Sequence, residues 1–176
     1  MTIQEEKLIS TEVIYKGKIF NIEKNDVVLS NNLNRTREIV RHKGGVVILA
    51  EKGNNILMVK QYRFAVKKIL FELPAGKLDK ENEDILSAAK RELMEETGHS
   101  AKNWKSLGYI IPSPGFCDEK LHLFFATDLT YDRPNPDEGE ILEHFELPKQ
   151  KVFDMIKTGE ILDAKTICTI MKAYKL

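Results

Sequence analysis

No stretch limits what this chain can fold into more than Arg91-Glu92-Leu93-Met94-Glu95-Glu96-Thr97-Gly98, which packs three glutamates into five positions. On a helix, Glu92 and Glu96 are four apart and stack on one side, with Glu95 at the three-residue spacing from Glu92. Like charges this close destabilise the helix unless a cation neutralises them. Arg91, four residues before Glu95, offsets part of the repulsion, and a divalent cation can offset the rest. Oxygen-only ligands favour a hard ion, Mg2+ ahead of Mn2+. A glutamate-rich helix is more often a solvated face, so the flanking residues decide. Pro74-Ala75-Gly76 precedes it, Glu83 stands eight before Arg91, and Gly98 is placed to close the helix. The pattern predicts a helix over Asp84–Thr97 with Ile85, Ala89 and Leu93 as its apolar row, Leu86 beside it, and the glutamates on another flank.

Before that helix the signal is β. Val13-Ile14-Tyr15, then Ile19 to Leu29, then Thr36 to Arg41 read as three short strands separated by polar turns. Such a meander is barely stable alone and needs a covering surface on the main domain or on a partner chain. Gly44-Gly45 marks a boundary, giving an expected meander over 1–43 and a main domain over 44–176. Strands follow at Val46–Ala50, Ile56–Tyr62 and Ile69–Leu73, and beyond the helix at Trp104–Ile111, Leu121–Leu129 and Glu143–Leu147. Helices over Val152–Lys157 and from an Asp163 cap to Tyr174 end the chain. Strands on both sides of a central helix, with a helical C-terminal end, predict an α/β class fold, an α/β/α sandwich around a mixed sheet with the N-terminal antiparallel meander added.

The 176 residues suffice for one well-packed domain, and 27 basic against 27 acidic residues leave no net charge. That balance argues against electrostatic capture of nucleic acid or an anionic membrane. Two distant cysteines without a CxxC pattern read as reduced thiols, which with no apolar leader in MTIQEEKLIS predicts a cytoplasmic protein.

The stretch from Gly76 to Gly98 resembles the Nudix hydrolase box, G-x5-E-x7-R-E-U-x-E-E-x-G-U, where U is a bulky apolar residue. Gly76, Glu83, Arg91, Glu92, Leu93, Glu95, Glu96 and Gly98 fit it. Two positions depart: six residues separate Gly76 from Glu83, and His99 stands where an apolar residue is expected. The extra residue falls in the polar loop Asp79–Asn82, where insertion costs little. The resemblance implies the sandwich topology. It also implies a metal site built from Glu92, Glu96 and the Ala75 carbonyl, with Glu95 and Glu83 as further candidates and Arg91 orienting a glutamate.

Further features resemble the ADP-ribose pyrophosphatase subfamily. Pro114 lies sixteen residues after Gly98, within Ser113-Pro114-Gly115-Phe116. The loop Asp137-Glu138-Gly139-Glu140 is similar to that subfamily's catalytic loop, which implies Glu138 for the attacking water and Glu140 for a metal. Gln61-Tyr62-Arg63 and Glu72-Leu73-Pro74 imply Arg63 as a phosphate ligand and Glu72 facing substrate, with a simple ion pair as the alternative. In that subfamily the meander packs across a homodimer and an aromatic from it stacks on adenine, here Phe20 ahead of Tyr15. The resemblance thus implies catalytic Glu138, Glu95 and Arg91, substrate contacts from Arg63, Glu72, Phe20 and Pro114, and Mg2+-dependent cleavage of ADP-ribose to AMP and ribose 5-phosphate. Another nucleoside diphosphate sugar such as GDP-mannose remains open as substrate, as does a non-catalytic ADP-ribose-binding module.

Overall fold

The computed structural model describes residues 4–133 and 141–175, and these separate into two compact units. The first holds the residues up to Lys43 together with Ile111–Lys120. Three antiparallel strands, β1 (Lys7–Lys16), β2 (Phe20–Val28) and β3 (Asn34–His42), form its sheet in the order β1-β2-β3. The free side of β3 meets the 111–120 segment: the Val40 N–H donates to the Phe116 carbonyl at 2.7 Å and the Asp118 N–H to the Val40 carbonyl at 3.2 Å. Every residue of β1 is exposed, Leu8, Ile9, Val13 and Ile14 among them at more than half of their surface. An edge strand this apolar on both faces is a template for pairing.

The second unit is built on β4 (Gly45–Lys52), β5 (Asn55–Arg63), β6 (Lys68–Glu72), β7 (Ala75–Lys77), β8 (His99–Ile110), β9 (Leu121–Tyr131) and β10 (Leu142–Pro148), with helices α1 (Ile85–Thr97), α2 (Lys149–Thr158) and α3 (Ala164–Tyr174). The strand order is β10-β5-β4-β9-β8, with β6 added on β5 and β7 on β4. Only β4 and β9 run parallel, so the sheet is mixed. The hairpin at Gly53 keeps β4 and β5 paired for two positions, after which β4 goes on with β9 and β7, and β5 with β10 and β6.

β4 carries a continuous apolar run because both its faces are covered. Val46, Ile48 and Ala50 pack with Ala88, Ala89 and Leu93 of α1, while Val47 and Leu49 pack with Val152 and Met155 of α2 and Ile170 of α3. This is the expected α/β/α sandwich. The Asp84 carboxylate accepts from the Leu86 and Ser87 N–H groups, and Gly98, at φ 67, ends the helix.

Several bounds differ from expectation: β1 starts at Lys7, six residues before Val13, because its pairing with β2 continues through Leu8 to Glu12, and α2 starts at Lys149, three before Val152. β8 starts at His99, five residues earlier than its apolar alternation indicates, because His99–Asn103 is mostly polar and is held in the sheet by pairing with Thr127–Tyr131 of β9; a register shift follows between Ser106 and Tyr109, with Gly108 at φ 80. β7 has no pattern of its own, and its three residues are held by pairing with β4. No helix among the described residues is long and apolar enough to cross a membrane.

Candidate metal and diphosphate site

The inner flank of α1 carries more than apolar residues. Glu92 and Glu96 are buried, at 8% and 1% exposure, beside the core residues Ala89 and Leu93. The strand opposite is β7. The Ala75 N–H donates to Glu96 Oε2 at 3.0 Å, and the Glu92 carboxyl lies directly over Gly76. A Cβ on Gly76 would stand 1.8 Å from Glu92 Cδ and 2.1 and 2.2 Å from its two oxygens. Gly76 does not adopt a left-handed φ, so glycine is required here for space rather than for conformation.

Arg91 organises the outer carboxylates. Its Nε and Nη2 donate to the two oxygens of Glu83 at 2.9 and 3.0 Å, a bidentate fork, while Nη1 donates to Glu92 and Glu95, each at 2.7 Å. Hydrogen bonding to Glu83 is the largest reason the Arg91 guanidinium is held protonated well above its ordinary range, and the same bonds lower the Glu83 carboxyl. Lys80 adds a cation 3.6 Å from Glu95. The loop that carries the extra residue turns immediately before Glu83, where Asn82 takes φ 61 and the Glu83 N–H donates to the Lys80 carbonyl.

The donor set suits a hard divalent ion. Among the described residues no three carboxylate, imidazole or thiolate groups come together closely enough to hold a metal alone. Mg2+ does not require that, since it keeps several waters and takes one or two protein carboxylates together with substrate phosphates. Glu92 over Gly76 and Glu96 beside Ala75 meet that requirement.

Arg63 and Glu72 are brought together on paired strands. Arg63 Nε and Nη2 donate to the two Glu72 oxygens at 2.7 and 2.6 Å, and Lys165 Nζ donates to Glu72 Oε2. Glu72 is fully buried, whereas the Arg63 side chain is 41% exposed with Nη1 outside the pair. Burial raises the Glu72 carboxyl, but hydrogen bonds from Arg63 and the charge of Lys165 outweigh it and hold the group below its ordinary value. Glu72, which holds Arg63, stands three residues before Ala75, whose N–H holds Glu96, so one short stretch of chain ties both groups.

The remaining candidates belong to the first unit or lie outside the described residues. Phe20, half exposed, packs its ring 5.9 Å from that of Tyr15 in the first unit. Pro114 is exposed in the same unit, in the turn closed by the Cys117 N–H on the Ser113 carbonyl. Glu138 and Glu140 lie outside the described residues. Sequence reasoning missed Lys165 and the Thr166 hydroxyl, which accepts from the Leu73 N–H at 2.8 Å. A lysine in the first turn of a helix reads as a solvated residue, and only the Asp163 cap beside it carried a signal.

A family model, the NUDIX domain, matches residues 41–169. A Bacillus subtilis protein named ADP-ribose pyrophosphatase is 39% identical, over 94% of this chain and 91% of its own length. A Bacillus methanolicus protein named methanol dehydrogenase activator is 40% identical over the same shares. A Mycobacterium tuberculosis protein named ADP-ribose pyrophosphatase is 42% identical over 69% of this chain and 59% of its own length. In fold, a solved structure of an ADP compounds hydrolase superposes with a TM-score of 0.87 at 20% identity, covering 99% of this chain and 95% of the other.

Proposed function

The chain belongs to the NUDIX domain family, and from that membership we propose that it is a Mg2+-dependent hydrolase that cleaves ADP-ribose to AMP and ribose 5-phosphate. The observation that carries the reading is the pair of buried glutamates, Glu92 and Glu96, fixed over Gly76 and Ala75, three residues along the chain from the Glu72 that holds Arg63. Relatives named ADP-ribose pyrophosphatase near 40% identity favour this substrate. GDP-mannose pyrophosphatases match at 32% identity over 74% of the chain, so GDP-mannose is the comparison substrate.

In this reading Glu92, Glu96 and the Ala75 carbonyl are the protein's ligands to the ion, joined by Glu140. A divalent ion held there would supply charge neutralisation at the diphosphate and activation of water. Arg91 holds Glu92, Glu95 and Glu83 in place and keeps their mutual repulsion from splaying them. Glu138 handles the attacking water, with Glu95 beside the ligands. Arg63 offers Nη1 to a phosphate oxygen while Glu72 fixes its orientation. Phe20 and Pro114 contact the nucleoside. The exposed apolar β1 supports a homodimer in which a second copy covers it; light scattering that finds a monomer at micromolar concentration removes that element.

The purified chain with Mg2+ and ADP-ribose should release AMP, with a higher kcat/KM than on GDP-mannose. Glu96→Gln should abolish the release. Turnover unchanged in that variant removes the metal assignment.

A further inference from the structure

Lys165 stands at an unusual place. It is the second residue of α3, at the end of the helix where the macrodipole disfavours a cation, and its side chain is only 14% exposed. Two carboxylates hold it there: Glu72, to which it donates directly, and Asp163 at 2.9 Å. Asp163 also caps α3 by accepting from the Thr166 N–H at 3.0 Å and the Thr166 hydroxyl at 2.6 Å. That same hydroxyl accepts from the Leu73 N–H at 2.8 Å. The end of β6 is therefore clamped to the start of α3 twice, through Glu72 and through Leu73. Two residues on, the Ala75 N–H holds Glu96.

Glu72 is shared between two cations. Arg63 takes both of its oxygens and Lys165 takes Oε2, so the carboxylate plane is fixed from two sides. A carboxylate held by Arg63 alone is free to turn with it. With Lys165 on Oε2, the carboxylate that takes the Arg63 fork is tied to α3 as well as to β5.

We propose that Lys165, steadied by Asp163, is a positioning residue that aims Arg63 at the substrate diphosphate through the shared carboxylate of Glu72. Lys165 itself touches no substrate. The inference rests on the diphosphate-hydrolase reading and deepens it: α3, far along the chain from the glutamate helix, sets how tightly the diphosphate is held.

The test is a double-mutant cycle read as KM and kcat separately. Lys165→Met should raise KM for ADP-ribose about tenfold while kcat falls less than about threefold. Lys165→Arg, which keeps a cation on Glu72, should restore KM to within about threefold of the unaltered chain. Adding Lys165→Met to Arg63→Ala should cost nothing beyond Arg63→Ala alone, since Lys165 acts through Arg63. Asp163→Asn guards against misfolding, because Asn still caps a helix but no longer pairs with Lys165 as an anion; it should raise KM in the same direction, about threefold. Additive losses in the double variant, equal falls in kcat with KM unmoved, or an unchanged KM in Asp163→Asn would overturn the proposal while leaving the hydrolase reading intact. Absence of turnover by the unaltered chain on both ADP-ribose and GDP-mannose would overturn the two together.

Discussion

Gly76→Ala is the most direct perturbation of the glutamate site, because its consequence is set by geometry. The new Cβ would sit 1.8 Å from Glu92 Cδ, and contact becomes ordinary only at 3.4 Å. The carboxyl must therefore retreat by about 1.6 Å, most of the length of a Mg–O bond. The obstacle is the far end of a flexible side chain rather than backbone, and Gly76 needs no left-handed φ, so the fold can accept the methyl group. What it cannot keep is Glu92 in place, with its hydrogen bond from Arg91. Misplacing a reacting group by about 1 Å can cost on the order of 100-fold in rate, equivalent to about 2.7 kcal/mol of transition-state stabilisation. AMP release at a series of Mg2+ concentrations, with a melting curve on the same sample, should show a hundredfold-scale loss, a weakened Mg2+ dependence and a nearly unchanged Tm. Activity within about threefold of the unaltered chain at the same half-saturating Mg2+ would refute the placement of Glu92 as a ligand.

Arg91→Lys should lower activity about 10- to 100-fold and weaken Mg2+ binding, since an ammonium cannot fork onto Glu83 while also reaching Glu92 and Glu95; titration of Mn2+ followed by its spin relaxation reads the affinity. Gly45→Ala behaves oppositely to Gly76→Ala, because its Cβ would meet the Gly76 carbonyl oxygen, a backbone atom, at 2.6 Å. The β4–β7 pairing must shift, and urea unfolding should show about 1–3 kcal/mol of lost stability. Acid should destabilise the chain through Glu72, whose folded value is depressed. Its contribution is complete above the ordinary glutamate value of about 4.3 and is lost as pH falls through the lower folded value. Urea midpoints from pH 7 downwards should therefore fall more steeply for the unaltered chain than for Glu72→Gln, and parallel curves would refute the assignment.

How much of this was legible in the sequence depended on range. Helix α1, its Asp84 and Gly98 ends and its row through Ala89 and Leu93 are written in spacing that one helix satisfies locally. Ile85 belonged to the same row on paper, yet it is 37% exposed, and Leu86 rather than Ile85 joins Ala88, Ala89 and Leu93 in the packed cluster. β4 was legible because burial on both faces leaves an unbroken apolar run. The start of β8 and the whole of β7 were not, since a mostly polar lead-in at His99–Asn103 and a three-residue pairing leave no period to read. The partnership of Glu72 with Lys165 joins residues 93 apart, and nothing in either neighbourhood announces the other.

The extra residue between Gly76 and Glu83 shows which contacts set the site. If the length of the loop placed Glu83, one more residue would displace it. Instead Asn82 turns left-handed, a conformation asparagine tolerates better than most residues, and the chain arrives with Glu83 on the Arg91 fork. Placement is thus governed from the helix side: Arg91, fixed within α1, captures Glu83, Glu92 and Glu95 with one guanidinium, while Gly76 and Ala75 bound the opposite wall. In this chain the carboxylates are placed by contact with Arg91 and by the open space at Gly76, so changes at those two positions should disturb the site more than a change in loop length.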